Sequence, residues 1–242
     1  MEFIIFHIIA LPMQIWFLFK SNPEKNVYLR CAIKTIPILL DALFIILQAT
    51  TPAEKYVFYG LLFSAFADVA LEYSGEFLYF VSGIIGFILA HVMNFIGFTS
   101  TAPFETNTTS ITAVILIGIV WFLFVLRILS FKLDKIMTSA CIVYASFILS
   151  GFYSATHVLL FATHFAFTYR IIVFIGYINF VCSDFTLFHN VFGTRTPLKT
   201  FICMFTYYMA QTLLSIAIVL CVHDNGNIPI EIPMDETIQV EI

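Results

Sequence analysis

Charge is what this sequence has least of. Of its 242 residues only 11% are charged and 61% are hydrophobic, and the mean hydropathy is +0.98. A soluble domain needs far more charge on its surface, so a soluble fold is excluded. A basic stripe and a glycine-rich phosphate loop are also missing, which argues against nucleic-acid and nucleotide binding. The five cysteines (Cys31, Cys141, Cys182, Cys203 and Cys221) show no paired spacing. They read as small buried hydrophobes, offering neither a disulfide framework nor a zinc site. His7, His157, His164, His189 and His223 form no ligand-like set. Two distant acids without clustered histidines are a poor ligand set, so neither metal nor cofactor is expected. The first apolar run lacks a basic leader and a small-residue cleavage site, so it is expected to stay as a membrane span.

What the chain does have is apolar runs, several longer than the roughly 18 residues needed to cross a bilayer. About eight are expected, over residues 3–19, 27–49, 56–73, 77–98, 111–129, 136–160, 169–192 and 198–222. The fold class that follows is an all-α polytopic membrane bundle, a single domain over residues 1–222. The tail 223–242 holds five acids, no base and two prolines, and is expected to be loosely ordered. Prolines 12 and 37 fall inside spans, where they are tolerated. No internal repeat and no second domain are evident.

The few bases fix an expected orientation. Lys20, Lys25, Arg30, Arg127, Lys132, Lys135, Arg195 and Lys199 fall on one side of an eight-span bundle, and only Lys55 and Arg170 on the other. By the positive-inside rule the crowded side is cytoplasmic, which leaves both termini lumenal or extracellular. The acceptor sequon Asn107-Thr108-Thr109 falls on the non-cytoplasmic side, where glycosylation would occur. An endoplasmic-reticulum membrane is the expected location.

Two spans carry isolated carboxylates, Asp68 in Ser64-Ala-Phe-Ala-Asp68-Val-Ala-Leu71 and Asp184 in Val181-Cys-Ser-Asp184-Phe-Thr-Leu187. A carboxylate in hydrocarbon costs several kcal/mol unless it faces a polar interior. At about 1.5 Å per residue, Asp68 lies roughly 8 Å from the cytoplasmic end of its span, Lys34 roughly 11 Å and Asp184 roughly 12 Å. Tyr144 and Tyr207 follow at roughly 14 Å, with His91 and Asp41 deeper at roughly 21 Å. Polar groups from five spans thus share one layer, as one polar pocket would require. Separate helix–helix hydrogen bonds would need no common depth.

These residues also carry a resemblance. Ser64-x-x-x-Asp68-x-x-Leu71, Gly83-x-x-x-Phe87-x-x-Ala90-His91, Ser183-Asp184-x-x-Leu187-x-x-Asn190-x-Phe192 and Thr206-Tyr-Tyr-x-Ala210-Gln211-x-Leu213 occur in that order. With Lys34 and the Tyr144, Ile148, Ala155 spacing, they resemble the YhhN-type lysoplasmalogenases from about residue 30 to 215. The resemblance implies eight spans and hydrolysis of the vinyl-ether bond of 1-alkenyl lysophospholipids. The products would be a fatty aldehyde and glycerophosphocholine or glycerophosphoethanolamine. It further implies that Asp68 and Asp184 are catalytic. Lys34, Tyr144, Ser183, Asn190, Tyr207 and Gln211 are expected around the substrate, with Ser64 and His91 behind them. Four positions depart from the pattern: Ala67 stands for a glycine, Asn94 for an aromatic, Gly151 for a methionine, and Phe188 for a small residue. Phe188 is expected to narrow the pocket.

The chemistry suits paired carboxylates. Protonation of the vinyl β-carbon gives an oxocarbenium ion, water captures it, and the hemiacetal collapses to aldehyde and alcohol. One carboxyl must carry a proton while the other is ionised, as in glycosidic cleavage through the same kind of cation. The residues do not assign the two roles. Lys34 has three readings: it holds one acid ionised, it binds the lipid phosphate, or it snorkels to the interface. Tyr207 and Gln211 share a helix face and would bind headgroup or water, or simply pack. The expected partners are the lysophospholipid and bilayer lipids, with no nucleic acid. The rival classes are a proton-coupled transporter, which would show inverted repeats and interrupted helices, and a lipid-binding bundle without chemistry.

Overall fold

The structure, a computed structural model, describes residues 2–20, 26–73, 77–102 and 106–224, without the side chains of 2–9, 20 and 221–224. The turn at 21–25, the link at 74–76 and the tail beyond 224 lie outside the described residues. So do the side chains of His7, Cys221 and His223.

Eight helices follow one another among the described residues: α1 (Glu2–Lys20), α2 (Val27–Gln48), α3 (Pro52–Glu72), α4 (Phe77–Thr99), α5 (Thr108–Leu129), α6 (Lys135–Phe161), α7 (Phe167–Phe192) and α8 (Pro197–Asp224). No strand occurs among them. Six of them (α2, α4, α5, α6, α7 and α8) are long and apolar enough to cross a membrane. The protein is therefore a multi-pass helical membrane protein. Every 18-residue stretch of α3 contains three of Glu54, Lys55, Asp68 and Glu72, and of α1 the part whose side chains are described, Ala10–Phe19, is apolar.

The expected spans agree with the helices to within a few residues, with one instructive exception. Residues 50–55 read as a turn, yet α3 begins at Pro52. Proline fits the first helical turn, where its missing N–H is no loss. Glu54 reaches back so that its Oε2 accepts from the N–H of Thr50 at 2.7 Å and of Thr51 at 2.9 Å. With Thr51 as N-cap this is a capping box, and it fixes the helix start four residues early.

The bundle core lies among α2, α3, α4, α6, α7 and α8. α3 packs along α4, and α7 along α8; α2 bridges α3 and α8, while α4 meets α6. Small residues allow the α3–α4 approach, as is usual between membrane helices. A Cβ added at Gly86 would stand 2.9 Å from the Ala67 Cβ and 3.2 Å from the Phe63 carbonyl oxygen. Ala67, at a position where the resemblance leads one to expect glycine, thus faces a glycine on the partner helix. α5 is peripheral: it packs on α6, and only Ser110 and Ile128 are buried along it. Its exposed leucines, isoleucines and phenylalanines form the surface a lipid-facing helix needs.

Asp41 has an ordinary explanation. It is 0% exposed and its Oδ2 accepts from Thr212 at 3.2 Å, joining α2 to α8. Cys31, Cys141 and Cys203 are buried free thiols as expected, but Cys182 is exposed. It lies on the outward face of α7, where a thiol is compatible with lipid.

Candidate functional site

The N-terminal half of α2 and the C-terminal half of α3 hold a buried ion cluster. Arg30 and Lys34 are one turn apart on α2, and Asp68 and Glu72 one turn apart on α3, so each pair shares a helix face. The Lys34 ammonium lies 3.1 Å from Asp68 Oδ1 and 3.5 Å from Glu72 Oε1. Arg30 donates to Glu72 Oε2 from both Nε and Nη2 at 3.1 Å. Two cations and two anions balance, which is what makes charge tolerable at this depth. From α8, Tyr207 donates to Asp68 Oδ2 at 2.7 Å and Tyr208 donates to the Lys34 carbonyl at 3.3 Å.

Of the three readings of Lys34, snorkelling is excluded: the residue is 7% exposed and its amine sits between two carboxylates. Binding phosphate would require leaving both. Arg30 and Glu72 went unrecognised in the sequence. The signal was there in the matched four-residue spacings, 30 to 34 and 68 to 72.

Asp184 lies apart from this cluster. It is 4% exposed, and its Oδ2 is 3.4 Å from His91 Nε2, close but without the alignment of a hydrogen bond. Tyr144 stands beside the same carboxyl from α6. The rise along the helices put His91 about 9 Å deeper than Asp184, yet the two meet. Side chains lean toward the N-terminus of their own helix. α4 and α7 run in opposite directions, so the two side chains lean toward one another. The His91 ring packs on Phe180 at 4.8 Å between centroids.

The remaining candidates take differing places. Ser183 donates to the Cys203 carbonyl at 3.0 Å, stitching α7 to α8. Gln211 is 1% exposed and stands beside Tyr207. Ser64 is 0% exposed, and its hydroxyl has no hydrogen-bond partner among the described residues. Asn190 is half-buried, two turns from Asp184 toward the end of α7.

The two aspartates do not touch in the structure. Aromatic rings connect their partners: Phe180 lies 4.8 Å from His91 and 5.9 Å from Tyr207, and Phe87 lies 6.0 Å from Tyr207 at a right angle. Tyr144 and Cys203 are each within electrostatic reach of both carboxyls.

A cleft lies among α3, α4, α5, α6 and α7. Its walls are apolar, with Leu71, Phe87, Phe124 and Ile148 among them, and Asp184, Tyr144 and Arg127 are its polar groups able to carry charge. Asp68, Lys34 and Tyr207 do not line it. Phe188 does, held edge-on to Phe131 at 4.9 Å, and so takes up space in the cleft that a small residue would leave. The apolar lining suits a hydrocarbon chain.

No curated protein and no solved structure matches the chain. The YhhN family model matches residues 29–218, a stretch that takes in both aspartates, the α2–α3 ion cluster and every residue named on the cleft, and on that match the chain belongs to the YhhN family.

Proposed function

We propose that the protein is a lysoplasmalogenase, a hydrolase that cleaves the vinyl-ether bond of 1-alkenyl lysophospholipids. The observation that carries this reading is the placement of Asp184: a single acid on the wall of a cleft lined almost wholly by apolar side chains. Family membership supports it.

In this reading the alkenyl chain lies in the cleft with its vinyl ether against Asp184. The protonated carboxyl of Asp184 gives its proton to the β-carbon, and the C=C electrons form the new C–H bond. The adjacent carbon becomes an oxocarbenium ion. Water adds there and passes its spare proton to the Asp184 carboxylate. The resulting hemiacetal breaks its bond to the glycerol oxygen, which takes a proton, and fatty aldehyde and glycerophospho-alcohol leave. Asp68 acts from the ion cluster of α2 and α3. Its carboxylate, fixed by Lys34 and Tyr207, supplies a preorganised negative field for the cation without reorganising. Tyr144, near both acids, is placed to orient the water.

We further propose an endoplasmic-reticulum membrane, with the cleft in the cytoplasmic half and both termini on the far side. The charge distribution across the loops supports this orientation.

The test is aldehyde release from 1-alkenyl lysophosphocholine and lysophosphoethanolamine by purified protein, without added nucleotide. Alkyl-ether and acyl lysolipids should survive, since neither offers an electron-rich double bond to protonate. Absence of aldehyde from folded protein would reject the reading.

A further inference from the structure

We propose that Arg127, assisted by His189, is the binding site for the phosphate of the lipid that occupies the cleft; the lipid's identity as a lysophospholipid rests on the hydrolase reading. Arg127 lines the same cleft as Asp184 and Tyr144. It differs from Arg30 and Lys34, the cations of the buried cluster, in having no carboxylate partner among the described residues. Its guanidinium instead donates from Nε to His189 Nε2 at 3.3 Å and from Nη1 to Ser130 Oγ at 2.9 Å, and lies over the Phe131 ring at 4.5 Å. These neutral contacts aim the fork and leave its positive charge uncancelled. The residue is exposed, at the end of α5 on the side where the bases gather. A planar guanidinium with a free charge suits phosphate, which it can engage through two parallel hydrogen bonds.

The spacing fits one molecule. His189, in contact with Arg127, lies five residues beyond Asp184 on α7, about 7.5 Å along the helix. In an extended 1-alkenyl glycerophospholipid the phosphorus and the vinyl β-carbon are seven bonds apart, about 8 Å at roughly 1.2 Å per bond. A phosphate on Arg127 therefore sets the vinyl ether level with Asp184, and the hydrocarbon continues along the apolar wall. This also resolves the reading of Lys34 as a phosphate ligand: the phosphate goes to the exposed cation, and the buried one serves Asp68.

The experiment measures binding apart from turnover. Purified protein in nanodiscs is titrated with 1-alkyl lysophosphocholine, which carries the phosphate but no double bond, with 1-alkylglycerol, which carries neither, and with inorganic phosphate. Arg127→Gln should weaken the lysophosphocholine by about tenfold and leave alkylglycerol unchanged, and Arg127→Lys should recover part of the loss. Equal weakening of both lipids, or of neither, overturns the proposal. Inorganic phosphate binding as tightly as the lipid would make this a free-phosphate site and overturn it as well. Aldehyde release from the alkenyl substrate is scored separately. Arg127-dependent binding without aldehyde rejects the hydrolase reading and upholds the phosphate site. Aldehyde release with Arg127-independent binding does the reverse.

Discussion

Tyr207 on α8 donates a 2.7 Å hydrogen bond to Asp68 on α3, in a place where both residues are almost wholly buried. It is a tertiary tie between helices far apart in the chain, made to a group whose other oxygen is already held by Lys34. Removing the hydroxyl leaves a buried acceptor short of a partner, which costs about 1–3 kcal/mol. Tyr207→Phe should therefore destabilise the bundle by that amount in reversible unfolding in mixed micelles. An unchanged midpoint would show that the tie adds nothing net.

Lys34 matters more. It sits between Asp68 and Glu72, and deleting one partner of a buried pair typically costs 3–5 kcal/mol (about that here) because charge is left uncompensated. Lys34→Met should fall in that range, and adding Asp68→Asn to it should restore much of the loss. Strict additivity of the two changes would contradict a direct pair.

The two aspartates should fail differently. Asp184→Asn keeps shape at the cleft wall and should lower aldehyde release by at least about a hundredfold, with lysolipid binding and thermal midpoint close to wild type. Asp68→Asn should lower turnover too, but should also lower the midpoint, since it strips the nearer of two anions from Lys34. Steady-state rates and unfolding curves on the same preparations check both halves. Full turnover in Asp184→Asn would reject Asp184 as the acid.

The α3–α4 seam offers a purely structural test. At Gly86 an added Cβ meets the Ala67 Cβ and a backbone oxygen of α3, and neither can swing away. Gly86→Leu should push the helices apart and cost at least about 1–3 kcal/mol. Because Ala67 adjoins Asp68, activity should drop with it. Lost stability with intact turnover would mean the seam does not position the acid.

Orientation is open to a direct check. Asn107 caps α5 through its Oδ1, which accepts from the Ser110 N–H at 3.0 Å, and it is exposed. In microsomes the full-length protein should carry a glycan that Asn107→Gln removes, seen as a mobility shift. A C-terminal tag should resist protease added outside. Digestion of the tag would invert the proposed topology.

The helices were legible because a bilayer imposes long apolar runs, and such runs are visible without any tertiary knowledge. Depth along each run also brought Lys34, Asp68 and Tyr207 together correctly, since all three lie within about 6 Å of one level. Other contacts followed from things a one-dimensional rise cannot express. The lean of side chains brings His91 to Asp184 across an expected gap. The start of α3 depended on a single glutamate folding back on its own N-terminus. The contacts of Phe180 with His91 and Tyr207 are a matter of which way rings point, and spacing carries no such information. Arg30 and Glu72 were overlooked for another reason: they lie at span ends, where charge is ordinary, and only their pairing makes them notable.

Gly151 and Tyr177 form a lock of a different kind. A Cβ at Gly151 would stand 2.5 Å from Tyr177 Cε1 and 2.6 Å from its hydroxyl oxygen, while Tyr177 is 0% exposed and has Asn94 and Ser154 as polar neighbours. Gly151 stands where the family resemblance leads one to expect methionine, and Asn94 where it leads one to expect an aromatic. Both departures surround one tyrosine. Read as evolution rather than packing, the three positions form an epistatic unit: a lineage cannot enlarge residue 151 until residue 177 has shrunk.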